Sequence, residues 1–246
     1  MIRLRKVPEI NAYFWIVKVL TTAMGEATSD YLVHQISPYL AVAIGGVGLC
    51  IALVLQFGVH KYITWIYWFA VLMVAVFGTM AADVVHIEFG VPYVISSGCF
   101  FIILLAVFFI WYRVEKTLSI HSITTFRREI FYWVTVMATF ALGTAAGDMT
   151  ASTLGLGYFV SGLLFLVLIS IPAVSYKVFK ANEVATFWIA YILTRPLGAS
   201  FADWFGKPQA IGGLGKGDGT VSIILGILIF SVVLFLAITK KDIKRE

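Results

Sequence analysis

Four aspartates recur at one spacing in this chain of 246 residues, and their position makes them the first candidates for chemistry. Each follows a tryptophan by fifteen residues and a glycine by five, in segments such as FWIVKVLTTAMGEATSD and YWVTVMATFALGTAAGD. The four residues are Asp30, Asp83, Asp148 and Asp203. An ionisable side chain in so apolar a segment is costly, and it is kept mainly where it binds or moves something. The spacing predicts four copies of one unit, each with one acidic site residue.

The composition indicates the class of protein that must position these carboxylates. Hydrophobic residues make up 61% of the chain and charged residues 13%, and the mean hydropathy is +0.95. A soluble domain would carry about 25% charged residues. Because about 20 apolar residues cross a bilayer, we predict eight spans, at roughly 12–33, 39–59, 64–86, 92–112, 130–150, 157–178, 186–205 and 220–239.

The predicted fold is an all-α membrane protein of four parallel two-helix repeats around a pseudo-symmetry axis along the membrane normal. The repeats cover about 12–59, 64–112, 130–178 and 186–239 of a single transmembrane domain, 1–246, and a cytoplasmic loop at 113–129 separates the two halves. Each repeat has an even number of spans, so all four enter the bilayer in the same direction. The repeat glycines are expected to pack closely against neighbouring helices, and the tryptophans to form an aromatic belt at the membrane boundary.

The distribution of basic residues predicts the orientation. Fourteen of the eighteen Lys and Arg residues fall in the tails and loops of one side, including Arg3, Lys244 and Arg245. This excess places the N- and C-termini in the cytoplasm, and it explains the net charge of +5 without a nucleic-acid partner. The glycine-rich stretch 206–219 is then a flexible extracytoplasmic loop that carries Lys207 and Lys216, and the alternative is that these two lysines gate access to the acids. Two cysteines in apolar runs form no metal or disulfide motif, and no cofactor is expected.

Three further charges break the repeat and lie within predicted spans. Glu26 precedes Asp30 by one helical turn, and two such close carboxylates call for a cation or a shared proton. Lys18 and Arg195 are the counter-charges, and Arg195 occupies the repeat position of Thr22, near the level of Glu26. If the fourth repeat neighbours the first, an ion pair between Arg195 and Glu26 follows.

Two histidines extend the acidic pattern in the first two repeats. His34 follows Asp30 by four residues and His86 follows Asp83 by three, so each pair shares a helical face. Carboxylate and imidazole together suit a divalent transition metal such as Mn, Zn or Ni. The alternative is that both are interfacial residues at helix ends.

The repeat units, the stretch LSIHSITTFRREIFYW and the segment YILTRPLGASFADWFGKP resemble a family of bacterial integral membrane proteins. That family has four tandem copies of a two-helix repeat of unknown function with a characteristic tryptophan. The resemblance covers essentially the whole chain. It implies eight spans and a location in the bacterial inner membrane, and it carries no reaction, substrate or cofactor.

The residues themselves predict a transporter of a cation, in particular a divalent metal ion, with coupling to protons left open. The ion would bind at Asp30, Asp83, Asp148, Asp203 and Glu26, so the expected partners are the lipid bilayer and a small inorganic cation, with protons as a further partner if transport is coupled to them. A pseudo-tetrameric cation channel is one alternative, and a structural or sensory membrane protein with buried ion pairs is another. An enzyme is not expected, because no nucleophile and base are paired at a cytoplasmic face. The oligomeric state is left open.

Overall fold

A computed structural model describes residues 5–87 and 89–243, and this part of the chain contains eight α-helices. Arg3, Lys244 and Arg245, which contributed to the predicted orientation, lie outside the described residues. The helices are α1 (Ala12–Gln35), α2 (Pro38–Gly58), α3 (Thr64–Ile87), α4 (Tyr93–Glu115), α5 (Phe126–Asp148), α6 (Gly157–Phe179), α7 (Glu183–Gly206) and α8 (Asp218–Thr239).

The predicted spans match these helices to within a few residues. The largest difference is at α5, which begins at Phe126 rather than near 130. The Thr125 side chain caps this helix by accepting a hydrogen bond from the Arg128 amide, at 3.3 Å. Hydropathy alone misses this polar first turn, because it marks the apolar stretch of a helix and not its capped start.

Among the described residues, six helices are long and apolar enough to cross a membrane: α2, α3, α4, α5, α6 and α8. The other two, α1 and α7, have 24 residues each and carry the charged residues that break the repeat. Their length, about 36 Å at 1.5 Å per residue, is at least that of the apolar helices, which have 21–24 residues. Charge, rather than length, therefore distinguishes α1 and α7.

The first helices of the four repeats pack around one another in a closed ring. In this ring α1 packs on α3, α3 on α5, α5 on α7, and α7 back on α1. The second helix of each repeat packs outside, on the first helix of the next repeat: α2 on α3, α4 on α5, α6 on α7 and α8 on α1. Exposed apolar side chains such as Val54, Ile102, Val167 and Phe230 cover these outer helices. The polar residues of the first helices are thereby enclosed in the centre.

The repeat glycines allow this close packing, as the sequence predicted. A Cβ atom on each glycine would collide with the residue that lies three positions before the glycine of the next repeat, and the fourth repeat closes onto the first. Gly25 meets Ala75, Gly78 meets Phe140, Gly143 meets Arg195, and Gly198 meets Thr22. Small residues at such contacts let helix backbones approach one another.

Replacing Gly143 by alanine should therefore destabilise the protein. The new Cβ would lie 2.5 Å from Cγ of Arg195 and 3.0 Å from Cδ of Pro196. Overpacking of this kind costs about 1–3 kcal/mol, and thermal unfolding in detergent, followed by tryptophan fluorescence, measures it. Gly98→Ala on α4 is the matched control, because nothing lies within 4 Å of its Cβ. If both variants unfolded at the same temperature, the close contact between α5 and α7 would be wrong.

An aromatic layer closes the ring at the end where the helices begin. The first residue of each aromatic pair packs against the tryptophan of the next repeat: Phe14 on Trp68, Tyr67 on Trp133, Tyr132 on Trp188, and Phe187 on Trp15, with ring centroids 5.6–6.2 Å apart. The hydroxyls of Tyr67 and Tyr132 are also hydrogen-bonded, at 2.5 Å. The predicted membrane belt is therefore wrong for Trp68, Trp133 and Trp188, which are buried between helices, while Trp15 is half-buried.

Two buried carboxylates, Glu129 and Asp242, link the chain's tails to the helix ring below this layer. Lys6 Nζ pairs with Glu129 at 2.5 Å, and Gln56 donates to the same carboxylate at 2.8 Å. Asp242 accepts hydrogen bonds from Tyr62 and Thr64, at 2.6 and 2.8 Å. Burial, and next the Asp242 carboxylate, raise the pKa of Tyr62 above its ordinary value. These contacts fix both tails against the end of the helix ring.

Candidate functional site

Three carboxylates converge inside the ring, near the ends of the helices that carry them. Glu26 and Asp30 come from α1 and Asp203 comes from α7, and one oxygen of each lies within 4.8 Å of one of each of the others. All three residues are buried. We call them the acid cluster. The two α1 residues share a face because they are one turn apart, and the contact between α1 and α7 brings Asp203 to them.

The other two repeat aspartates lie near this cluster without joining it. Asp83 on α3 and Asp148 on α5 are half-buried, and neither forms an ion pair with the described residues. Each lies within electrostatic range of Glu26 and Asp30. At Asp148, α5 changes into a π-helical turn, Met149–Thr153, a distortion often found at functional sites. All five predicted acids therefore contribute to one negative region.

A lysine from the loop after α7 binds the acid cluster. Lys207 Nζ lies 2.5 Å from Asp30 Oδ2, and both side chains are mostly buried, at 17% and 12% exposed. Burial disfavours the charged ammonium group. The Asp30 and Asp203 carboxylates outweigh this effect and raise the pKa of Lys207 above its ordinary value. Lys207 therefore supplies a positive charge at the cluster, whereas the sequence analysis favoured a flexible, solvated loop for it.

The loop itself is folded rather than flexible, which corrects that prediction. Its backbone amides at residues 214–217 donate to the last carbonyls of α7 and to that of Lys207, at 2.6–3.1 Å. Glycines with positive φ, such as Gly215 at 71° and Gly217 at 80°, turn these amides toward the helix end. Gly213 lies so close to the Lys207 carbonyl that no larger residue fits there. The loop thus caps α7 and fixes the starting point of the Lys207 side chain.

Arg195 forms a second polar layer, one turn further into the ring. It is fully buried, and its guanidinium contacts Glu26 as well as the hydroxyls of Thr79 and Thr144, the latter at 2.8 Å. Glu26, Thr79 and Thr144 follow the repeat glycines directly in the first three repeats. Repeat 4 supplies the arginine that binds all three. The predicted ion pair between Arg195 and Glu26 is confirmed.

Lys18, the other predicted counter-charge, lies deeper and does not reach the acids. Its Nζ lies 4.1 Å from the ring centroid of Phe140 and 4.2 Å from that of Tyr191. Lys18 is 1% exposed, and its Nζ has no hydrogen-bond partner among the described residues. The rings of Phe140 and Tyr191, rather than a carboxylate, therefore surround the Lys18 amino group. Lys18 therefore separates the acid cluster from the aromatic layer.

The structure does not bring the two histidines into the acid cluster. His34 is exposed, and its Nδ1 lies 2.6 Å from the Asp30 backbone carbonyl. His86 contacts the Val91 carbonyl with Nδ1 and the Ser96 hydroxyl with Nε2, and its ring lies against that of Tyr93 at a tilt of 39°. Both rings thus have local partners at helix ends. A metal at the acid cluster would be bound by oxygen atoms alone.

The arrangement as a whole is a carboxylate site with two built-in cations. Arg195 holds Glu26 from the inner side, and Lys207 holds Asp30 from the loop. A small cation bound between the three carboxylates would compete with both. The chemistry that such a site supports is reversible cation binding, because it presents several oxygen ligands.

The family model described as Repeat of Unknown Function (DUF347) matches four segments of the chain: residues 13–62, 66–117, 131–182 and 186–242. These segments cover most of the sequence, and each contains one Trp–Gly–Asp unit and the helix that follows it. No curated protein and no solved structure was found to match the chain.

Proposed function

We propose that this chain, which belongs to the DUF347 family of repeats of unknown function, is a membrane transporter of a divalent metal cation. The single observation that carries the proposal is the acid cluster: three buried carboxylates, from the first and fourth repeats, with oxygen atoms within 4.8 Å of one another. Asp83 and Asp148 add negative charge from the second and third repeats. We propose that these five residues form the cation pathway, and that the protein is not an enzyme.

The ligand atoms favour one class of cation. Carboxylate oxygens suit Mg²⁺, Ca²⁺ and Mn²⁺, whereas imidazole favours Zn²⁺ and Ni²⁺. Because His34 and His86 have other partners, an oxygen-binding metal such as Mn²⁺ fits better than the zinc or nickel that the histidine spacing suggests. One divalent ion would also offset the charge of the carboxylates, which burial alone disfavours.

The closed centre of the ring favours a carrier over an open pore. Going inward from the acid cluster, the interior is occupied by Arg195, then by Lys18, and then by the aromatic layer. A buried arginine and a buried lysine fill this path, so passage of a metal ion requires both side chains to move. A selective pore instead keeps a continuous path lined by ligands.

The membrane arrangement follows from the same residues. We propose that α1 and α7 cross the bilayer with the six apolar helices, because their charges face the centre of the ring and the apolar outer helices cover them. The four repeats would then surround a pseudo-four-fold axis along the membrane normal. We propose a bacterial inner membrane as its location, and the excess of basic residues supports cytoplasmic termini, which would put the acid cluster near the outer surface.

Equilibrium binding of Mn²⁺ to the purified protein, measured by calorimetry in detergent, tests the site. We expect saturable binding that Asp30→Asn weakens at least about a hundredfold, since a site with one fewer carboxylate loses both a ligand and a charge. His34→Gln is the matched control, because it lies one turn from Asp30 but its ring binds a backbone carbonyl. It should bind Mn²⁺ as the unaltered protein does.

The control also distinguishes a metal site at the histidine from one at the acid cluster. If His34→Gln lost Mn²⁺ binding while Asp30→Asn retained it, the site would be at the histidine and the acid cluster would be structural. If neither variant nor the unaltered protein bound a divalent ion, the acids would serve as buried pairs, as in a structural or sensory protein.

A further inference from the structure

Lys207 holds the position that a bound cation would need. Its ammonium lies 2.5 Å from Asp30, and Asp203, which forms no ion pair with the described residues, is within its electrostatic range. The contact joins a loop to a helix 177 residues away in sequence. An ammonium group and a metal ion both bind to the oxygen atoms of a carboxylate, so the two compete for Asp30.

The loop is built to present this side chain. Amides of residues 214–217 bind the end of α7, so the backbone at Lys207 is fixed, while its side chain reaches the cluster as a single flexible arm. The lysine ammonium sits on a flexible four-carbon stem, so it can leave a contact by rotation of the side chain while the backbone stays in place. Lys216, in the same loop, is exposed instead. Release of Lys207 thus requires only a rotamer change.

We infer that Lys207 is a tethered cation that occupies the acid cluster when no substrate is bound and that the transported cation displaces. The inference rests on the proposed function, and it assigns the regulation of its site. Lys207 prevents the cluster from being left as uncompensated buried charge. It also sets a threshold: the incoming cation must bind more strongly than the lysine does, which a divalent ion achieves and a monovalent ion does not.

The first test uses the unaltered protein. A membrane-impermeant amine-reactive ester, followed by mass spectrometry, measures the labelling of each lysine with and without Mn²⁺. We expect Mn²⁺ to raise labelling of Lys207 several-fold, because displacement moves its ammonium into water. Lys216 is the internal control, and its labelling should not change. Equal labelling of Lys207 with and without Mn²⁺, in protein that binds the ion, would overturn the inference.

The second test compares variants by Mn²⁺ calorimetry. Lys207→Gln should bind Mn²⁺ about tenfold more tightly, because no charge-assisted hydrogen bond has to be broken first. Lys207→Arg, which keeps the charge, and Lys216→Gln should stay close to the unaltered protein. An unchanged or weaker affinity in Lys207→Gln would contradict displacement. Absence of binding in the unaltered protein and in Lys207→Gln alike would instead reject the proposed function.

Discussion

Replacing Arg195 by glutamine is expected to destabilise the protein by about 3–5 kcal/mol, the usual cost of removing one partner of a buried ion pair. The guanidinium is fully buried and binds Glu26, Thr79 and Thr144, so it joins all four repeats at one point. Without it, the Glu26 carboxylate remains buried with no opposite charge beside it. Thermal unfolding in detergent, followed by tryptophan fluorescence, measures the loss.

The double variant Glu26→Gln/Arg195→Gln separates the ion pair from the packing around it. Removing both charges should restore much of the lost stability, because two neutral amides can hydrogen-bond in the same space. The stability of Glu26→Gln alone should lie between that of Arg195→Gln and that of the double variant. If the double variant were as unstable as the sum of the single variants, the two residues would not be coupled, and the central polar layer would be wrong.

Asp203→Asn is expected to abolish Mn²⁺ binding while it leaves the protein as stable as before or more stable. Asp203 is buried, its carboxylate lies beside those of Glu26 and Asp30, and it forms no ion pair with the part of the chain that the structure describes. The Lys207 ammonium that this charge favours is already paired with Asp30, so repulsion from the two neighbouring carboxylates is the larger effect of the Asp203 charge. Removing it relieves repulsion between like charges, and about 1 kcal/mol would raise the unfolding temperature by about 2–4 °C.

This combination distinguishes a binding site from a structural role. A residue that serves function often lowers stability, so its replacement stabilises the protein and removes activity. If the acids served only as structural pairs, Asp203→Asn would lower the unfolding temperature and no ion would change it. Calorimetry with Mn²⁺ and thermal unfolding on the same preparation give both answers.

The sequence predicted the helices well because the residues that define each helix lie within one repeat unit. The spacing of Trp, Gly and Asp gives four equivalent helices, and the repeat register places Arg195 near Glu26. The glycines were also predicted as packing residues. Each of these inferences needs only helical geometry and the equivalence of the four copies.

The remaining features depend on contacts between distant segments. The burial of Trp68, Trp133 and Trp188 follows from the aromatic residues of neighbouring repeats, and hydropathy cannot show it. The position of Lys207 depends on positive φ angles in a glycine-rich loop. The spacing of His34 from Asp30 puts them on one face, but the ring binds a backbone carbonyl instead. Asp203 joins Glu26 and Asp30, while Asp83 and Asp148 stay apart, so the four repeat-related aspartates are not equivalent in the structure.

The central claim, that the acid cluster is part of a cation pathway, is tested most directly by Mn²⁺ flux into liposomes that contain the purified protein. A pH-sensitive dye inside the vesicles would show whether protons move with the metal. We predict saturable Mn²⁺ uptake that is lost in Asp203→Asn and retained in His34→Gln. Absence of flux in the folded, unaltered protein, or equal flux in Asp203→Asn, would contradict the account.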